Sequence, residues 1–230
     1  MKRYQYLFFD LDRTLYDFEA CASQTLRELY DTYSLHNYFC DFEEFHAAYR
    51  KNNEMLWGQY RYKLITKDCL RWMRFQMTLA EKDIFDIELA EKLGNDYISQ
   101  SPMKCILFPE TIEVLNALHL KYSLYLITNG FKEVQYQKID NCGLRKYFKD
   151  IFTSEEIGYN KPEKAYFEEV MLRSCAHPIE SLVIGDDIEV DIQGANTMDI
   201  DTVWFNHFKK PATRPVTYQI GKLSDLLTIL

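Results

Sequence analysis

The feature that most constrains this chain is a short apolar run that stops at two acids. Tyr6-Leu7-Phe8-Phe9 is followed at once by Asp10-Leu11-Asp12-Arg13-Thr14. Apolar runs of this length, bounded by polar residues, read as buried strands. Asp10 and Asp12 would then stand at the carboxyl end of such a strand, where open α/β sheets place their ligands. A buried carboxylate is costly unless it is paired or binds metal. A polar turn explains one aspartate there, but explains two and a threonine poorly.

Past Asp12 the pattern changes. Residues 17–100 read as successive helices: one over 18–34, one opened by Asp41 with Glu44 in capping-box spacing, one capped by Thr66, and one over 86–99. Ser101-Pro102 ends the series. From Pro109 onward helices and strands alternate, with strands expected over 123–127, 151–153, 181–184 and 201–205 and helices between them. The expected fold class is α/β, a doubly wound, Rossmann-like parallel sheet. Its core comprises 1–16 and 101–230, and a helical bundle, 17–100, is inserted after the first strand.

Each strand of the alternating half leads into polar chemistry. Thr128-Asn129-Gly130 follows the second strand, Asn160-Lys161-Pro162 comes just past the third, and Gly185-Asp186-Asp187, with Asp191 a turn later, follows the fourth. In a parallel sheet these ends share one edge with Asp10 and Asp12. Clustered carboxylates do not stay ionised together without a cation. A ligand set of oxygens without Cys or His suits a hard ion, and Mg²⁺ fits best. A hydroxyl, an amide, a lysine and helix N-termini are what would hold phosphate oxygens. An aspartate can attack phosphorus to form an aspartyl-phosphate.

Composition narrows the partners. The 230 residues are 47% hydrophobic with a net charge of -8 and no basic block, which argues against a nucleic-acid polymer and leaves a small phosphorylated molecule open. No apolar stretch is long enough to cross a membrane. Met1-Lys2-Arg3 is basic, but the apolar run after it breaks at Asp10, which argues against a signal peptide. The six cysteines form no C-x-x-C pair or zinc pattern and read as reduced residues of a cytoplasmic protein. A monomer or homodimer is expected.

Together, Asp10-x-Asp12-x-Thr14, Thr128-Asn129, Lys161-Pro162 and Gly185-Asp186-Asp187-x-x-x-Asp191 resemble the four motifs of the haloacid dehalogenase-like hydrolase superfamily, in the family's order. The resemblance implies a helical cap domain and assigns roles. Asp10 would be the nucleophile and a metal ligand. Asp12 would protonate the leaving alcohol, then activate water, and would also ligate metal through its carbonyl. Thr128 and Asn129 would bind phosphate, and Lys161 would neutralise phosphate and nucleophile. Asp186 would complete the metal ligands, supported by Asp187, Asp191 and Thr14. The dehalogenases lack the second aspartate, so Asp12 points to a phosphatase. Arg13 and Asp187 depart from the common pattern, and Asp187 leaves open which of two adjacent aspartates faces the metal.

Ile127–Phe131, Ser154–Gly158, Leu56–Tyr60 and Val203–Asn206 resemble the YjjG-type pyrimidine 5'-nucleotidases. That implies hydrolysis of pyrimidine nucleoside monophosphates, noncanonical ones included. The alternative is a phosphatase for another small metabolite, such as phosphoglycolate or a sugar phosphate. Trp57, Tyr60 and Arg61 in the insert, with Phe18 and Phe131 beside the motifs, are the candidates for substrate choice. Trp72 and Phe75 are expected to pack the insert's helices. A receiver-type phosphoacceptor is a competing class, but it would carry its aspartate on a middle strand and have no large insert. A catalytically silent binding protein on the same fold is another.

Overall fold

The computed structural model describes residues 4–230, so the basic start of the chain lies outside the described residues. The first strand, β1 (Tyr6–Phe9), is buried from Leu7 onward. Its sequence shows no polar alternation because both faces are covered, as in parallel sheets generally. Phe8 stacks on Tyr125 at 5.1 Å and joins a cluster containing Phe152, Tyr166 and Val183.

The chain forms two compact units, one of the residues up to Phe18 with Cys105–Leu230, the other Glu19–Lys104. The second unit is helical, with α1 (Phe18–Thr32, whose first residue belongs to the first unit), α2 (Phe42–Arg61), α3 (Lys67–Ala80) and α4 (Ile87–Gln100). The last three start where side chains satisfy orphan backbone donors. Asp41 accepts from Glu44 N at 2.8 Å, Thr66 from Cys69 N at 3.2 Å and Asp86 from Leu89 N at 2.9 Å. Glu44 reaches back to Cys40 N rather than to the cap residue itself, so the box is displaced by one position. Tyr49, Phe75 and Tyr97 form an aromatic centre with ring separations of 5.0 to 5.9 Å.

In the first unit, α5 (Thr111–Leu118), β2 (Ser123–Thr128), α6 (Lys132–Asn141), β3 (Asp150–Thr153), α7 (Ser154–Ile157), α8 (Lys164–Ser174) and β4 (Ser181–Gly185) follow in turn. A π-helical turn, Ile188–Ile192, leads into α9 (Gln193–Asn196), then β5 (Asp201–Phe205), β6 (Tyr218–Ile220) and α10 (Leu226–Ile229). The six strands are parallel in the order β3-β2-β1-β4-β5-β6. From β1 the sheet extends through β2 on one side and through β4 on the other. The switch point, where such sheets open a crevice, therefore lies just past Phe9.

Three details differ from the sequence expectation. β6 is an added edge strand, too short and too mixed to show a pattern. The segment after Asp187 winds as a π turn before becoming α-helical. Cys105 and Cys142 are joined by a disulfide, with Cα atoms 5.4 Å apart, so these two are not reduced. Their separation of 37 residues matches no local cysteine motif, and only the fold brings them together. Among the described residues, no helix is long and apolar enough to cross a membrane.

Candidate active site

Strand register brings the polar residues together. Phe9 pairs with Leu126 on one side and Ile184 on the other, so Asp10 emerges level with the ends of β2 and β4. The Asp10 N–H donates to the Ile184 carbonyl at 2.8 Å, which keeps the backbone in the sheet while the carboxylate points past it.

Asp10 is almost fully buried, and both its oxygens are engaged. Lys161 Nζ donates to Oδ1 at 2.7 Å, and the hydroxyl of buried Thr14 donates to Oδ2 at 3.2 Å. The Lys161 ammonium also donates to Asp191 Oδ1 at 2.7 Å and to the Ile127 carbonyl at 3.2 Å. All three of its donors therefore have acceptors, as a buried ammonium requires. Asp191 is equally buried, and its second oxygen accepts from Asp187 N at 3.2 Å. A Cβ at Gly185 would overlap the Asp191 carboxylate, so only glycine admits that side chain against the end of β4.

Asp10, Asp186 and Asp191 place carboxylate oxygens within 4.8 Å of one another. Burial pushes the Asp10 carboxyl up to about 7, with Lys161 working against the shift and Asp191 adding to it. Burial and the charges of Asp10 and Asp191 hold Asp186 well above the usual carboxylate range, although Arg13 opposes them. Asp191 is raised by burial against the pull of Lys161. Burial depresses the Lys161 ammonium, but Asp10 and Asp191 more than offset it, and the net shift is upward. Three carboxylates and one ammonium leave two negative charges in excess, the complement of a divalent cation. The donor set, all carboxylate oxygen, suits a hard ion. Lys161 bridges Asp10 and Asp191, and Asp10, Asp186 and Asp191 are the side chains placed to hold one.

Asp187 does not join this cluster. Its carboxylate accepts from Glu189 N at 3.0 Å and Val190 N at 3.1 Å, capping the turn that carries Asp191. Trp204 Nε1 donates to the Asp186 carbonyl at 2.8 Å and fixes the backbone there.

On the β2 side, the Thr128 hydroxyl accepts from Gly130 N at 3.1 Å and from Gln135 Nε2 at 2.8 Å. With both lone pairs engaged, its own proton is left to donate outward. Asn129 is placed differently from the expected phosphate ligand. Its side-chain oxygen accepts from Lys161 N and its amide donates to Lys161 O, both at 2.8 Å. The side chain thus clamps the Lys161 loop, and its backbone N–H is the group it could offer a phosphoryl oxygen.

Asp12 has partners that no sequence motif announced. Lys138 Nζ donates to Oδ1 at 2.6 Å and Gln135 Nε2 to Oδ2 at 2.7 Å. Both donors lie on α6 and are buried. Their i, i+3 spacing on the helix after Thr128-Asn129-Gly130 is the signal that could have found them.

Among the candidates for substrate choice, Phe18 has two cations near its ring, Arg13 at 4.8 Å and Lys138 at 5.2 Å. Arg13 itself sits at φ 67°, a left-handed conformation that side chains rarely take. Phe131 is buried at the start of α6. Trp57, Tyr60 and Arg61 are half-buried at the end of α2 in the helical unit, the two rings meeting edge-on at 5.6 Å.

Comparison with known proteins agrees on one family. A model of the haloacid dehalogenase-like hydrolases matches residues 4–199. The chain is 31% identical to pyrimidine 5'-nucleotidase YjjG of Escherichia coli, covering 99% of this chain and 98% of that protein. It is 30% identical to pyrimidine 5'-nucleotidase PynA of Streptococcus pneumoniae, over 99% and 95%. The magnesium-bound crystal structure of HAD-hydrolase YfnB from Bacillus subtilis superimposes with a TM-score of 0.90 at 32% identity, covering 100% of this chain and 99% of that one.

Proposed function

The chain belongs to the haloacid dehalogenase-like hydrolases and is a phosphoric monoester hydrolase, and from that premise we propose that it is a Mg²⁺-dependent 5'-nucleotidase acting on pyrimidine nucleoside monophosphates. The observation that carries the mechanism is the Asp10–Lys161 pair inside a three-carboxylate cluster. It supports a buried nucleophile held beside the charge excess that a divalent ion would balance. The substrate class rests on the two nucleotidases to which the chain is similar.

In this reading Lys161 and Thr14 fix the Asp10 carboxylate and keep water from competing for its oxygens. Asp10, Asp186 and the Asp12 carbonyl would hold Mg²⁺, which would supply positive charge against the phosphoryl oxygens. The Thr128 hydroxyl and the Asn129 backbone N–H donate to those oxygens. Asp10 attacks phosphorus, and Asp12 gives its proton to the departing alcohol. Asp12, now a carboxylate, then takes a proton from the water that hydrolyses the aspartyl-phosphate. Trp57, Tyr60 and Arg61 are our candidates for recognising the base.

The test is phosphate release from uridine, thymidine, cytidine and purine monophosphates and from sugar phosphates, with and without Mg²⁺. The expected result is Mg²⁺-dependent hydrolysis that favours pyrimidine nucleotides and falls about 10⁴-fold or more in Asp10→Asn. Preference for a sugar phosphate over every pyrimidine nucleotide overturns the substrate. Hydrolysis that survives Asp10→Asn overturns the mechanism.

A further inference from the structure

A lysine on an outer helix ordinarily keeps its ammonium in water and buries only its stem. Lys138 does the opposite. It lies on the ten-residue helix α6, yet it is 4% exposed. Its ammonium is turned inward between the rings of Tyr16 and Phe18, at 4.8 and 5.2 Å, and the carboxylate of Asp12. Burying that charge is costly, and only a good partner offsets it.

Gln135, one turn earlier, is fully buried. Its two N–H groups are divided between Asp12 Oδ2 and the Thr128 hydroxyl. The neighbouring carboxylate settles which end of the amide faces it, since a carbonyl there would repel. Gly130 makes room for this side chain, because a Cβ at that position would overlap the Gln135 amide. Each oxygen of Asp12 thus meets one donor from the same helix face, while the carboxylate is still partly open, its side chain 23% exposed.

We propose that Lys138 and Gln135 are positioning residues for proton transfer by Asp12, with Gln135 also tying the acid to the phosphate-binding Thr128. This inference rests on the phosphatase reading above. In the first half-reaction an Asp10 oxygen forms the new bond to phosphorus. The ester P–O bond breaks with its electron pair going to the leaving oxygen, and the Asp12 proton goes to that oxygen. Asp12 is left as a carboxylate, whose charge Lys138 neutralises where it stands. Gln135 keeps the Asp12 carboxylate oriented for the return step, in which Asp12 takes a proton from the water that bonds to phosphorus while the Asp10 O–P bond breaks and restores the Asp10 carboxylate.

The contribution of a positioned acid depends on the leaving group. An alkoxide needs a proton as it departs, whereas nitrophenolate leaves as a stable anion. The experiment measures kcat/KM, which ends at departure of the leaving group, for uridine 5'-monophosphate and p-nitrophenyl phosphate in the wild type, Lys138→Met, Lys138→Arg and Gln135→Leu. Methionine keeps the contact with Tyr16 and Phe18 without the charge. General acid catalysis contributes about 10²–10⁴-fold, so Lys138→Met is expected to lose about 30-fold on the nucleotide and less than about threefold on the aryl ester. Gln135→Leu should lose about tenfold more on the nucleotide than on the aryl ester, above a smaller loss common to both from the released Thr128 hydroxyl, and Lys138→Arg should restore most of the nucleotide rate. Gln135→Leu carries the test should Lys138→Met fail to fold.

Equal losses on both esters, or none on either, overturn the inference and leave the phosphatase reading standing. A wild type that hydrolyses neither ester overturns that reading and removes the inference with it.

Discussion

Among the buried cations, Lys161 in the first unit and Arg74 in the second show what separates a site from a core. Lys161 ends against two carboxylates, Asp10 and Asp191, in a cluster that keeps an excess of negative charge. Arg74, in α3, is 3% exposed and ends against neutral groups. Its guanidinium donates to Asn53 Oδ1 at 3.2 Å and to the Arg71 carbonyl at 3.3 Å, and lies 4.6 Å from the Tyr97 ring. Both bury a charge. Arg74 has amide, carbonyl and π-face partners, which solvate its charge without gathering carboxylates around it. Lys161 is embedded in acid that one lysine does not neutralise. Burial of a charged group is therefore not by itself a sign of function here; the excess of clustered carboxylate is.

Replacing each cation by an apolar chain of similar length tests this contrast. Lys161→Met strands two buried carboxylates and should cost about 3–5 kcal/mol without metal. Added Mg²⁺ should return part of that loss, while hydrolysis falls about 10²–10³-fold. Arg74→Met should cost about 1–3 kcal/mol by leaving Asn53 and the Arg71 carbonyl underused, identically with and without Mg²⁺. Urea unfolding of both variants, with and without the ion, decides it. If Mg²⁺ rescues Arg74→Met as much as Lys161→Met, the comparison fails.

The Asp10 carboxyl rises from 3.8 to about 7, chiefly by burial, so between these values the folded protein holds a proton that the unfolded chain has released. Its contribution to stability is complete below about 4 and is lost as pH rises through about 7. Asp186 and Asp191 shift in the same direction. Metal-free protein should therefore lose stability from about pH 4 to about pH 7, the span of the Asp10 shift. Mg²⁺ needs the ionised carboxylates, so protons compete with it. The gain in Tm from a fixed Mg²⁺ concentration should be larger at pH 8 than at pH 6. A gain that does not change with pH removes Asp10 from the ion's ligands.

The same contrast explains how much of the molecule was legible in its sequence. β1 and the acids at its end were legible because a strand buried on both faces leaves no freedom in composition, and because its abrupt end is a topological position. Asp41 and Thr66 were legible as caps because capping is local chemistry. Lys138 and Gln135 were not. On a short helix with many polar residues their inward face is indistinguishable from an outward one until the partner, Asp12, is brought across 126 and 123 positions of sequence. Asn129 was expected to meet phosphate; that its side-chain amide meets the Lys161 backbone is a pairing of two loops that neither motif contains alone. β6 is three residues long and pairs only with β5, so its signal lies in the edge it completes.

The smallest effect sharpens the comparison at two helical starts of the same chemistry. Asp41 caps α2 by accepting from Glu44 N, and Asp187 caps the turn after β4 by accepting from Glu189 N and Val190 N. Alanine at either position removes a cap worth about 1 kcal/mol. At Asp41 the loss should end there. Glu44 still holds Cys40 N and Lys82, so the helix start is only partly released, and Mg²⁺ affinity should be unchanged. At Asp187 the same loss loosens the turn that carries Asp191 and the backbone that presents Asp186. Mg²⁺ affinity should weaken about three- to tenfold, the consequence of letting supporting contacts slip behind a metal ligand. Calorimetric titration of the two variants gives both numbers. Equal affinities would make Asp187 an ordinary cap and leave Gly185 and Trp204 to hold Asp186 and Asp191 in place.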